Sequence, residues 1–199
     1  MKYGKPNQFG VRRGYSLVEL MIVTAIIGIV AGLVLVPAAS RESAQLQSAG
    51  RRFTGMVEYA QHLAIARSDQ TFLIKVDQAK DRFWLATRTA PDTPLAHPAA
   101  SDPYLVQLGT GSPDGLTAVR ITAMNLGGDG VVMFDSAGGI DQSDPAAIEF
   151  AVQDVYYIVA LAPDSGAVEA DYDTLDSWMQ MKGLSMTGRD VRSQDAPGR

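Results

Sequence analysis

The chain has no cysteine, so neither a disulfide framework nor a thiolate metal site is open to it, and redox chemistry says nothing about its compartment. Histidine is nearly as scarce. His62 and His97 are the only two, and without a third ligand at metal spacing they point to structural or solvated roles. No Gly-Xaa-Ser-Xaa-Gly elbow, phosphate loop or dinucleotide fingerprint is present, so nothing supports catalysis and no cofactor is expected. One further absence is positional: between Glu19 and Arg41 there is no charged residue.

What remains divides unevenly. The 199 residues are 46% hydrophobic with a mean hydropathy close to zero, enough for one modest domain and an additional segment. Net charge is -5, from 17 basic and 22 acidic residues. Lys2, Lys5, Arg12 and Arg13 all precede Tyr15. Without them 13 basic residues face the same 22 acidic ones, about -9, and such a body disfavours general binding to nucleic acid.

The run from Leu20 to Ala39 is about 20 residues, roughly 30 Å as a helix, the thickness of a bilayer's hydrocarbon core. Four basic residues stand before it, while Arg41 and Glu42 nearly cancel after it. That asymmetry places the N-terminus in the cytoplasm and the rest outside. A conventional secretory signal is the competing reading, with Pro37-Ala38-Ala39 as the cleavage site before Ser40. The apolar stretch exceeds the usual roughly 7 to 15 residues, however, and a secretory signal has no use for Glu19 at its entrance.

An ionisable group at the edge of hydrocarbon is costly unless paired. Cleavage between Gly14 and Tyr15 creates an α-amino group about one helical turn from Glu19. The carboxylate then has a partner, in its own chain or in a neighbour displaced along the helix axis, and pairing between neighbours favours assembly over a solitary existence in lipid.

The sequence Arg12-Arg13-Gly14-Tyr15-Ser16-Leu17-Val18-Glu19-Leu20-Met21-Ile22-Val23, with Ala25-Ile26-Ile27-Gly28-Ile29-Val30-Ala31 after it, resembles the N-terminal signature of type IV prepilins, which pilins share with type II secretion pseudopilins. The resemblance implies cleavage by prepilin peptidase after Gly14, N-methylation of Tyr15, and Glu19 as the assembly carboxylate. Methylation leaves the amine charged. Tyr15 stands where the family most often has Phe, and Pro37 falls one residue later than the usual helix-kinking proline.

Beyond Ser40 the apolar residues Leu46, Ala49, Phe53, Val57, Ala60 and Ala64 recur at intervals of three and four, the pattern of an amphipathic helix. One helix from about Tyr15 to Ala66 is expected, interrupted where Pro37 removes a donor. Its amphipathic face can pack on the following sheet or on other subunits. Gly28, Gly32, Gly50 and Gly55 permit close helix approach.

Thr71–Val76 and Arg82–Thr87 read as a hairpin. A Pro-rich loop follows, and then strands are expected at Tyr104–Leu108, Leu116–Ile121, Val131–Phe134, Ala147–Val152 and Val155–Ala162, with Ala167–Glu169 after the turn at Pro163–Gly166. The expected class is α+β, a long N-terminal helix packed on a small, mainly antiparallel β domain. The expected organisation is a leader at 1–14, a transmembrane half-helix at 15–39, an amphipathic extension at 40–68, a β-rich domain at 69–182 and a flexible tail at 183–199. Val131–Gly138, Tyr157–Val168 and the helix end His62–Arg67 are similar to the GspH/FimT group of minor pseudopilins and minor pilins.

Asp171, Asp173 and Asp176 could offer oxygen ligands to Ca²⁺, but they lack the spacing and bend of an EF-hand loop, so no metal is assigned. Arg189, Arg192 and Arg199 make the tail basic, but Asp190 and Asp195 dilute it, and DNA is not an expected partner. The expectation is a non-enzymatic minor subunit of a type II secretion pseudopilus or type IV pilus. Its expected partners are other pilin subunits, prepilin peptidase, the inner-membrane assembly platform and, before assembly, membrane lipid. The alternative is a membrane-anchored or secreted periplasmic binding domain or enzyme behind an ordinary signal.

Overall fold

The computed structural model describes residues 17–34, 37–98, 101–184 and 190–191. The chain forms two compact units, Met1–Ser40 and Arg41–Arg199. In the first, α1 runs from Leu17 to Val34. Helix α2 runs from Pro37 to Ala66; residues 35 and 36, on which the expected interruption at Pro37 bears, lie outside the described residues.

The second unit is α+β. Strands β1 (Phe72–Asp77), β2 (Arg82–Thr87), β3 (Leu105–Gln107) and β5 (Val131–Phe134) form one antiparallel sheet in the order β3-β2-β1-β5. Strands β4 (Arg120–Asn125), β6 (Ala146–Val152), β7 (Val155–Leu161), β8 (Val168–Asp171) and β9 (Asp190–Val191) form another, in the order β8-β7-β6-β4-β9. A short helix α3 (Leu175–Met181) joins them.

The stripe on α2 does what its spacing predicts. Leu46, Ala49, Phe53, Val57, Ala60 and Ala64 are all buried, in one core with Ile74 and Phe83 of the first sheet and Ile148 and Phe150 of the second. Phe53 meets Phe83 edge-on, ring centroids 5.2 Å apart, and Phe150 at 6.1 Å. Edge-to-face packing of this kind adds about 0.5–1.5 kcal/mol per pair to the burial itself. The sheets are also tied at a charge. Asp81, in the β1–β2 turn with φ 49°, is buried and accepts hydrogen bonds from Arg120 Nη1 at 2.7 Å and the Ile121 amide at 3.0 Å. Aspartate tolerates the left-handed conformation that the turn imposes.

Two expectations need correction. The strand read at Leu116–Ile121 is β4, beginning only at Arg120. Leu116 and Val119 are buried but belong to a turn, with the Val119 amide bonded to the Leu116 carbonyl; three residues apart, they would face opposite sides of a strand. Helix α3 was not expected. Its signal is Leu175, Trp178 and Met179 at spacings of three and one behind Thr174, whose side chain caps the helix by accepting from the Ser177 amide. Those three side chains cover the outer face of the second sheet over Ala123, Ala147, Ile158 and Ala160. The buried Glu149 of β6 fastens the helix start, accepting from the Leu175 amide at 2.6 Å and the Thr122 hydroxyl at 2.5 Å. Within the segment read as a tail, Asp190 and Val191 pair with Met124 and Ala123.

Two glycines of α2 differ in what surrounds them. A Cβ at Gly50 would run into the Tyr157 ring, whereas one at Gly55 would meet nothing within 4 Å. Gly55→Ala should therefore stabilise the protein by about 1 kcal/mol through helix propensity alone. Gly50→Ala should lose that gain and destabilise by about 1 kcal/mol net, because overpacking costs typically 1–3 kcal/mol. Denaturant unfolding of the full-length chain in detergent, followed by tryptophan fluorescence, measures both, and equal effects of the two changes would contradict the difference in packing.

The Tyr104 ring stacks on Tyr59, centroids 4.7 Å apart, and on His97 at 4.5 Å. Burial pushes the Tyr104 hydroxyl up to about 12, aided by the hydrogen bond and charge of Tyr59. The native state therefore holds this proton more tightly than the unfolded chain, whose tyrosine titrates at 10.0. The resulting stabilisation is fully present below pH 10 and is lost between about pH 10 and 12. Tyr104→Phe should flatten stability across that window, and an unchanged slope there would refute the assignment.

Candidate functional site

Nearly every residue from Leu17 to Val34 is apolar, and none is proline, so the segment forms α1 without an obligatory break. It has no polar face to turn to water. Leu17, Val18, Leu20, Met21, Ile22, Val23, Ile26 and Ile27 are all exposed, from 47% at Val23 to 74% at Leu17. A helix apolar around its whole circumference belongs in a protein interior or in lipid. The Thr24 hydroxyl is satisfied without a partner from outside, bonding back to the Leu20 and Met21 carbonyls at 3.0 Å.

Glu19 lies in the first turn of this helix, exposed among the apolar side chains. There its charge complements the free amides of the helix N-terminus, the favourable end for an anion. Gly14 and Tyr15 lie outside the described residues. Among the described residues no helix is long and apolar enough to cross a membrane. From Leu20 to the end of α1 at Val34 the rise is about 22 Å, less than the roughly 30 Å of hydrocarbon.

The other candidates do not converge. The Asp171 carboxylate accepts from the Tyr172 amide and that of Asp173 from the Thr174 amide, both at 2.7 Å, and Asp176 occupies the first turn of α3. Among the described residues no group of three His, Cys, Asp or Glu side chains could hold a metal ion. His62 is exposed on α2 and His97 stacks on Tyr104. Arg189, Arg192 and Arg199 lie outside the described residues.

The groups that sequence reasoning missed are Asp81, Glu149 and Gln61. Gln61 Nε2, on α2, donates to the Gly138 and Gly166 carbonyls at 3.0 Å, pinning two turns to the helix. All three hold the fold together and lie away from any cluster able to react. On α1 the arrangement suits association: an apolar cylinder with a single carboxylate near one end.

No curated protein matches this chain. Among solved structures, the fold is similar to the minor pseudopilin EpsH of the Vibrio cholerae type 2 secretion system, at 13% identity and a TM-score of 0.48 over 64% of this chain and 97% of that one. It is also similar to the type IV minor pilin FimU of Pseudomonas aeruginosa, at 13% identity and a TM-score of 0.43 over 63% and 91%. Residues 11–35 match the model of the prokaryotic N-terminal methylation motif. The chain therefore carries at its amino terminus the prepilin-type methylation motif, the segment in which it resembles the type IV pilins and type II secretion pseudopilins.

Proposed function

We propose that this protein is a non-enzymatic minor subunit of a type II secretion pseudopilus or type IV pilus, of the GspH/FimT kind. It is stored in the inner membrane and then drawn into a filament through its N-terminal helix. The observation that carries this reading is the solitary Glu19 carboxylate in the first turn of an otherwise apolar, exposed helix, inside a methylation motif.

Residues 1–14 are a leader that prepilin peptidase removes after Gly14, and Tyr15 becomes the methylated N-terminus. Residues 15–39 span the membrane, since the apolar run continues past Val34 to Ala39 and reaches about 30 Å. Pro37 marks the bend within the N-terminal helical region. Residues 40–68 extend the helix, 69–182 form the periplasmic β domain, and 183–199 follow it, with Asp190 and Val191 adding β9 to its second sheet. The N-terminus starts in the cytoplasm and the C-terminal domain outside.

In lipid the Glu19 carboxylate is expensive alone, and the new amine of Tyr15 neutralises it. When that amine belongs to a neighbouring subunit, the energy of pairing becomes energy of assembly and fixes the axial offset between helices. The inner-membrane platform then receives subunits already biased to pair.

Mass spectrometry of the native protein should find a chain that begins with methylated Tyr15. A chain beginning at Ser40, or one retaining Met1, would overturn the reading in favour of a secreted or permanently anchored domain. Glu19→Ala should leave membrane insertion intact and reduce filament incorporation at least about tenfold, the factor that 1.4 kcal/mol of lost pairing corresponds to. Incorporation at the wild-type level would remove the pairing mechanism.

A further inference from the structure

Strand edges invite pairing, and most of those in this fold are closed or very short. The three-residue β3 ends one sheet, and β9 covers β4 at one side of the other. At β5 the Met133 amide is bonded to the Asp141 carboxylate and the Met133 carbonyl to the Asp141 amide, both at 3.1 Å. The outer side of β8 is different: among the described residues no strand pairs with it.

The register fixes which groups face outward. The Ala162 amide bonds to the Ala167 carbonyl, and Ala160 pairs with Glu169 and Ile158 with Asp171. Hydrogen-bonded pairs alternate along an antiparallel ladder. The N–H and C=O of Glu169 and Asp171 therefore serve β7, and those of Val168 and Ala170 point away from the sheet. Glu169, Ala170 and Asp171 are all exposed, so neither face of the strand screens this edge.

Beside it lies an apolar cleft of about 410 Å³ between the sheet and α3, lined by Pro145, Leu161, Pro163, Val168, Trp178 and Leu184 among others. Glu169 lines it too and accepts from Lys182 Nζ at 3.0 Å. Lys182 Nζ sits 5.7 Å from the centre of the Trp178 ring. Glu169 and Asp171, two residues apart, project from the same face of β8.

We propose that the outer edge of β8 binds an extended segment of a partner protein by strand addition, with an apolar side chain seated in the cleft under α3 and basic side chains set against Glu169 and Asp171. The backbone of Val168 and Ala170 supplies the pairing, the cleft supplies the anchor, and the two carboxylates select the charge. The segment presents an apolar residue and then two basic ones at alternate positions along one face. A second β8 is excluded as the occupant, because edge-to-edge pairing sets Glu169 and Asp171 of one copy against the same carboxylates of the other. This proposal does not depend on the chain being a filament subunit.

The test uses the full-length protein in detergent micelles and three labelled peptides followed by fluorescence anisotropy: Leu-Thr-Lys-Thr-Lys-Thr, its reversed sequence, and Leu-Thr-Glu-Thr-Glu-Thr. At least one lysine peptide should bind saturably, more weakly as salt rises, and the glutamate peptide at least about tenfold less well. Ala170→Pro removes an outward N–H and leaves the ladder with β7 intact, since proline is tolerated at a strand edge. It should weaken lysine-peptide binding at least about tenfold with little change in Tm. The pair Glu169→Gln and Asp171→Asn leaves the backbone unaltered; it should lower affinity by a similar factor and abolish most of the salt dependence. Lys182→Met, by freeing Glu169, should tighten binding several-fold. The proposal is overturned if neither lysine peptide binds, if the glutamate peptide binds equally well, or if a folded Ala170→Pro or Glu169→Gln/Asp171→Asn protein retains wild-type affinity.

Discussion

The second unit depends on one convergence, that of Phe53 from α2 with Phe83 from the first sheet and Phe150 from the second. Neither sheet has a complete core of its own, since the apolar faces of both are finished by the same helix. A side chain that touches two sheets at once makes their burial cooperative: losing the helix stripe exposes both inner faces together. The charged tie from Asp81 to Arg120 and Ile121 lies between the same two sheets. Direction is thus added to an interaction that is otherwise non-directional.

The contrast with α1 is one of self-sufficiency. The apolar stripe of α2 from Leu46 to Ala64 is buried against strands of the same unit, while Arg51, Arg52, Glu58 and His62 are exposed. The apolar side chains of α1 from Leu17 to Ile27 stay exposed. A cylinder of that kind has a large free energy of transfer and no preferred side, so lipid tails and other apolar helices are equally acceptable surroundings. What distinguishes the two environments is Glu19, which hydrocarbon penalises and a nearby cation rewards.

Much of this was legible in the residues because it is local. The hairpin at β1 and β2, the strand Val131–Phe134 and the buried stripe on α2 follow from alternation and from spacing at three and four. The failure at Leu116–Ile121 arose where two buried apolar residues, Leu116 and Val119, support a turn; their spacing of three breaks the alternation that a strand beginning at Leu116 requires. Helix α3 is only 7 residues long, and its three buried positions mean little until the sheet beneath them is known. Asp81, Glu149 and Gln61 were invisible for a different reason: their partners lie 40, 26 and as many as 105 residues away along the chain. No pattern in a window of sequence announces such a pairing. On α1 the reverse holds, because a run without charge and one carboxylate at its start are properties of sequence alone.

Gln61 acquires a mechanical meaning from its position. Its single amide nitrogen holds Gly138, in the turn after β5, and Gly166, in the turn before β8, to the C-terminal part of α2. A pull along that helix loads both bonds together, and through them one strand of each sheet. Bonds that share a load in parallel must stretch at the same moment before either turn can peel away, so force entering by the helix spreads into the domain instead of unzipping it from one corner.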